Sequence, residues 1–186
     1  MRRLFITGLL IALGTLPGST LRQLSLDDMI RQSTMIVHGT VQPTNIMYHG
    51  SMIFSHYTIQ PTEIYKSPGS GQSAQSTSSP IDFGVPGGSL NGIIQRVAGA
   101  PILTVGQDYV LFLWTSKSGL TQVIGLSQGL LSVITTPGGA PMVVRPAAAA
   151  GALTVTGLPV TTNDISMSLS ALKTEISNVL SGQSTQ

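Results

Sequence analysis

Tyr109-Val110-Leu111-Phe112-Leu113-Trp114 is the stretch on which the reading of this chain turns. A half-buried strand alternates apolar and polar residues. This run is apolar almost throughout and rich in aromatic and branched side chains, so it predicts a strand buried on both faces. Such a strand belongs at the centre of a barrel or sandwich, and the mature chain is therefore read as mainly β.

The neighbouring segments fit that centre. Met35-Ile36-Val37-His38-Gly39-Thr40-Val41 and residues 53–65 predict two strands of a hairpin, with Tyr48-His49-Gly50-Ser51 as its turn. Pro61 in the second strand implies an edge or a bulge. Shorter strands are expected at 81–85, 93–97, 122–124, 129–134 and 141–145, with turns at Pro86-Gly87-Gly88 and Thr136-Pro137-Gly138-Gly139. Residues 67–80 form a Ser/Gly/Gln-rich low-complexity loop. A short helix is predicted over 24–33, with Ser25 as its cap and Asp28 in capping-box spacing. A C-terminal helix is predicted over 164–180, capped by Asn163 or Asp164 and ended by Gly182. Ile165, Leu169, Leu172, Ile176 and Val179 give it one apolar stripe for packing on the β domain.

The ends and the composition narrow the class. Arg2 and Arg3, an uncharged apolar stretch over 4–16, and Pro17-Gly18-Ser19-Thr20 read as a secretory signal. Its apolar part is shorter than the roughly 20 residues a membrane span needs. The expected organisation is a signal peptide over 1–20, a β-barrel domain over 21–145, a connector over 146–162, and a helix and tail over 163–186. The expected location is secreted or periplasmic, with membrane contact only during export.

Charged residues make up only 9% of the chain, with a formal net charge of +2. Arg2 and Arg3 account for that excess. The scattered remaining charges supply no basic patch, which argues against nucleic acid as a partner. With no cysteine in the chain, disulfides, thiolate catalysis and cysteine-based metal centres are excluded.

Leu26-Asp27-Asp28-Met29-Ile30 with Ser33, Ile36-Val37-His38-Gly39-Thr40-Val41, and Tyr57-Thr58-Ile59 up to Tyr65-Lys66 form an ordered series of segments. It continues through Val85-Pro86-Gly87-Gly88, Gly99-Ala100-Pro101 and Val105-Gly106-Gln107-Asp108-Tyr109-Val110-Leu111-Phe112-Leu113. Gly125 with Gln128-Gly129 closes it. This series resembles a group of uncharacterised exported bacterial proteins over residues 24–135. More distantly, it is similar to tissue-inhibitor-of-metalloproteinase and netrin-like domains, which are OB-type five-stranded barrels. The resemblance implies a small OB-like Greek-key barrel with a short N-terminal helix and a C-terminal amphipathic helix. Those inhibitors act through an N-terminal cysteine, so in a chain without one the resemblance implies a fold and not metalloprotease inhibition.

Each motif that suggests chemistry meets a specific objection. Gly125-Leu126-Ser127-Gln128-Gly129 matches a nucleophile elbow, but strand follows it and His38, His49 and His56 all precede Ser127. Ser170-Ala171-Leu172-Lys173 matches S-x-x-K without the motifs that accompany it in penicillin-binding folds. Hairpin pairing offers His38 and His56 as weak metal candidates, with Glu63 or Asp82 to join them. The carboxylates Glu63, Asp82, Asp108, Asp164 and Glu175 show no spacing that favours a catalytic pair. Most of the aromatic set reads as core. Trp114, Tyr57 and Tyr65 are the residues offered as a ligand or partner surface, with Trp114 at an expected barrel mouth.

The reading is a non-enzymatic exported binding or interaction module with no cofactor. Its partner would be an envelope or extracellular protein or a small ligand. The alternative is a small extracytoplasmic hydrolase or metal-binding protein that uses the histidines.

Overall fold

A computed structural model describes residues 23–69, 79–145 and 165–182. The expected signal segment over 1–20 and the expected connector over 146–162 lie outside the described residues, as do Asn163 and Asp164.

The central strand, β6 (Asp108–Thr115), is buried on both faces from Tyr109 through Leu113. Successive side chains of a strand point to opposite faces. Tyr109, Leu111 and Leu113 therefore enter one core with Val37, Ile59, Phe83 and Val85. Val110 and Phe112 enter a second core with Met29, Ile30, Leu172, Ile176 and Val179. The first core is the barrel interior. The second lies between the outside of the barrel and the two helices.

The barrel is a circuit through β6. β1 (Met35–His49) pairs antiparallel with both β6 and β2 (Met52–Lys66). β2 pairs antiparallel with β3 (Ile81–Pro86), and β7 (Thr121–Val123) returns antiparallel to β6. The remaining seam is parallel and one register pair wide, Gly84 opposite Gln122. The circuit is thus barrel-like but not closed, the partly open Greek-key form of OB-type domains. β4 (Gly88–Leu90) and β5 (Ile93–Gln95) make a separate ribbon. Beyond β6 the main sheet continues through β8 (Leu130–Ile134), β9 (Met142–Val144) and β10 (Ser166–Ser168).

Pro61 marks a bulge, as expected. It faces Gly39, where the register of β1 against β2 shifts. A Cβ at Gly39 would lie 2.0 Å from the Gln60 carbonyl oxygen, so the close approach of the two backbones requires glycine there.

α1 (Leu26–Gln32) begins where Ser25 accepts a hydrogen bond from the Asp28 amide. It ends on Lys66, whose Nζ donates to the carbonyls of Ile30, Arg31 and Ser33 at 2.8, 3.0 and 2.6 Å. A cation there meets both the free carbonyls and the negative end of the helix dipole. α2 (Leu169–Ser181) starts later than the periodicity suggests. Ser166, Met167 and Ser168 pair with β9 as β10, and the Ser168 side chain caps the helix by accepting from the Ala171 amide. The apolar stripe from Ile165 to Val179 is nevertheless buried as expected. Among the described residues, no helix is long and apolar enough to cross a membrane.

Two expected site residues belong to this framework. Tyr65 is 8% exposed in the helix-side core, so it offers no binding surface. His38 is also buried, and its Nε2 finds no hydrogen-bond partner among the described residues. Burial holds its pKa below 6.5 and outweighs the opposing pull of Asp108 and Glu63; Lys173 lowers it further.

Leu111→Ala is expected to cost about 2–5 kcal/mol in urea unfolding, by transfer and cavity terms together. Trp114→Ala, at a half-exposed position, is expected to cost about 1 kcal/mol or less. For His38 the folded state prefers the neutral ring, so the unfolded chain binds more protons near its ordinary pKa. Stability is fully present above pH 6.5 and falls as the pH drops through that value. Thermal melts of wild type and His38→Leu at pH 7.5 and 5.5 should show a smaller acid-induced loss in the variant.

Candidate functional site

In the far half of the β1–β2 hairpin the two strands differ: from Gln42 onward β1 has no buried residue, while β2 keeps Ile53, Phe54 and His56 buried. Its two-residue turn, Gly50-Ser51, sets His49 opposite Met52 and Met47 opposite Phe54. By strand alternation Met47, His49, Met52, Phe54 and His56 share one face. β3 adds Asp82 beside this row, and the parallel seam at Gln122 brings up the loop over 118–121.

His49, His56 and Asp82 form a hydrogen-bonded series. His56 Nδ1 lies 3.0 Å from Asp82 Oδ2, and His56 Nε2 lies 3.2 Å from His49 Nε2. A carboxylate only accepts, so His56 carries its proton on Nδ1 and donates it to Asp82. With the His56 ring neutral, that tautomer leaves a lone pair on Nε2, to which His49 Nε2–H donates. The imidazole centroids are 5.4 Å apart, so the rings meet through their Nε2 ends. Phe54 packs its edge against His49 at 5.3 Å.

Burial differs along the series. His56 is buried, while His49 and Asp82 are exposed. Gly84 opposite His56 makes room: a Cβ there would lie 3.1 Å from the Phe54 ring and 3.6 Å from His56 Nε2. The series opens into a cleft of about 780 Å³, lined also by Thr44, Asn45, Met47 and residues 118–121.

Asp82 and His56 make the acid–base half of a hydrolytic triad. The atom facing His56 Nε2 is an imidazole nitrogen and not a hydroxyl, so the nucleophile's position is filled by a second base. The arrangement suits donation of lone pairs to a ligand. Among the described residues, no three His, Cys, Asp or Glu side chains gather as a metal-ligand set.

The other sequence candidates sit elsewhere. His38 pairs with Val110 and Glu63 in register and has Asp108 Oδ2 at 4.0 Å. It is about six strand positions from the level of His56, roughly 20 Å at strand rise. The hairpin therefore does not join His38 to His56; it joins His49 to His56. Glu63 pairs with Lys173, whose Nζ also lies 5.6 Å from the Tyr65 ring centroid. Asp108 accepts from Thr40 Oγ1 at 2.7 Å.

Ser127 lies in a 3-10 turn (Leu126–Gly129) that runs into β8, so it lacks the helix N-terminus of an elbow. The residue after it makes a structural contact. Buried Gln128 accepts from the Leu24 amide at 2.7 Å and ties down the N-terminal segment. Ser170 exchanges a hydrogen bond with Ser168 at 3.0 Å and Lys173 is held by Glu63, so S-x-x-K is a helix surface.

Trp114 is 43% exposed. Alternation sets it on the outer face with Val110 and Phe112, so it does not line the barrel interior. Tyr57 stacks on Phe83 at 5.9 Å and lines a second cleft of about 580 Å³ with Val85-Pro86-Gly87-Gly88 and residues 95–102.

His49 is hidden in the sequence because Tyr48-His49-Gly50-Ser51 reads as a turn. The signal that finds it is the shorter turn Gly50-Ser51, from which pairing parity sets Met47, His49 and His56 on one face.

No family model matches this chain, and neither a curated protein nor a solved structure matches it.

Proposed function

We propose that this chain is an exported, non-enzymatic binding module whose ligand enters the cleft at the far end of the β1–β2 hairpin. The observation that carries this reading is the Asp82–His56–His49 series, which ends on an exposed imidazole in an open cleft. Concave sites with a few convergent polar groups are where small ligands bind. OB-type barrels also bind over one face and its loops.

Export is supported by Arg2 and Arg3 ahead of the apolar stretch over 4–16, and by the resemblance to exported bacterial proteins. The non-enzymatic part is supported by the imidazole standing where a hydrolase needs its hydroxyl, and by the unsuitable settings of Ser127 and Ser170.

The test combines a turnover assay with mapping. Purified protein is screened with ester, peptide and glycoside substrates, and its ¹⁵N-labelled form is titrated with a library of small polar fragments. The expected result is no turnover, with amide shifts gathered at 44–49, 55–57, 82–84 and 118–122. Turnover that disappears in His56→Ala overturns the reading, and so do shifts confined to residues 85–88 and 95–102 of the second cleft.

A further inference from the structure

We propose that His49 and His56, with the thioether of Met47, form a binding site for copper(I). The inference rests on the reading of this cleft as the binding site and names its ligand.

The donor atoms are the first argument. Two imidazole nitrogens face each other at 3.2 Å. His56 is buried and anchored by Asp82, whereas His49 is exposed at the end of its strand. A small outward rotation of His49 opens the gap for an ion between the two nitrogens.

The anchor is the second argument. A histidine that ligates a metal through one nitrogen almost always donates from the other to a carboxylate or carbonyl. Asp82 accepts from His56 Nδ1 in this way and holds the Nε2 lone pair toward the cleft.

Selectivity comes from the sulfur. Met47 lines the same cleft, and Met52 stands opposite His49 on the same strand face. Zinc prefers four ligands drawn from Cys, His and carboxylates, or three with an open position, and no three such groups gather among the described residues. Calcium and magnesium need oxygen shells. Thioether sulfur with imidazole nitrogen is a donor set that favours copper(I).

The binding step changes no oxidation state. Copper enters as copper(I). His49 transfers its proton from Nε2 to Nδ1 through solvent, and the two freed Nε2 lone pairs form the metal bonds.

The test is an anaerobic titration of the full chain, purified without a histidine tag, with copper(I) held by a chromophoric copper(I) chelator. The expected result is one ion per chain, with X-ray absorption showing nitrogen and sulfur neighbours. His49→Ala should weaken binding by at least 100-fold, and Met47→Leu should weaken copper(I) without changing zinc(II). Asp82→Asn should cost roughly 10–100-fold, the usual effect of an outer-shell partner. His49 is exposed, so its variant keeps the test valid even where the buried His56→Ala fails to fold.

No uptake from the chelator, or uptake indifferent to His49→Ala, overturns the proposal. Zinc(II) binding tighter than copper(I) and unaffected by Met47→Leu also overturns it. Should copper(I) fail while polar fragments still shift the cleft amides, the copper assignment falls and the binding module stands. Turnover lost in His56→Ala removes the binding reading itself.

Discussion

The two-sided burial of β6 is the constraint on which the rest of the structure depends. Tyr109, Leu111 and Leu113 need an interior on one side, and Val110 and Phe112 need cover on the other. The barrel circuit supplies the first and the helix layer supplies the second. This explains why two helices from opposite ends of the chain meet on the same face of the sheet. It also explains Lys66: by capping α1 it fixes the end of β2 to the helix that covers β6. A barrel with a seam one residue pair wide is left with little of its own closure. Burying apolar surface in both layers, at roughly 25 cal/mol per Å², does the stabilising instead.

The same division explains where the site lies. Both cores are filled by the half of the hairpin near β6, where Ile36, Val37 and Val41 are buried. Past Val41, β1 runs on into solvent. Residues there are released from the demand for apolar packing, and polar side chains are available to a ligand. His38 shows the contrast. On the same strand but within the packed half, it is a buried base with Asp108 at 4.0 Å, and burial holds its pKa below the ordinary value.

Much of the fold is legible in the sequence because its elements are local. The β6 run, the bulge at Pro61, the Ser25 cap and the α2 stripe each follow from neighbours in sequence. The start of α2 is not, because Ile165-Ser166-Met167-Ser168 satisfies a helical stripe and a strand edge equally, and β9 decides between them. The site is legible only in part. Sequence offers His56 and leaves Glu63 or Asp82 open as its carboxylate, but it pairs His56 with His38, which the register places elsewhere. Register decides such pairings, and it is set by a two-residue turn and by the bulges that shift β1 against β2. Trp114 is exposed on the outer face, because a residue at the end of a buried strand faces inside or outside according to parity alone.

Native-state hydrogen exchange on the chain tests the role of β6, since it ranks each amide by the free energy of the opening that exposes it. If β6 is the constraint, the slowest amides belong to Val110, Leu111, Phe112 and Leu113, together with their β1 partners around Ile36 and Val37. A slowest set in β2 and β3, with β6 exchanging early, would mean that the barrel holds together without its central strand, and would contradict that claim.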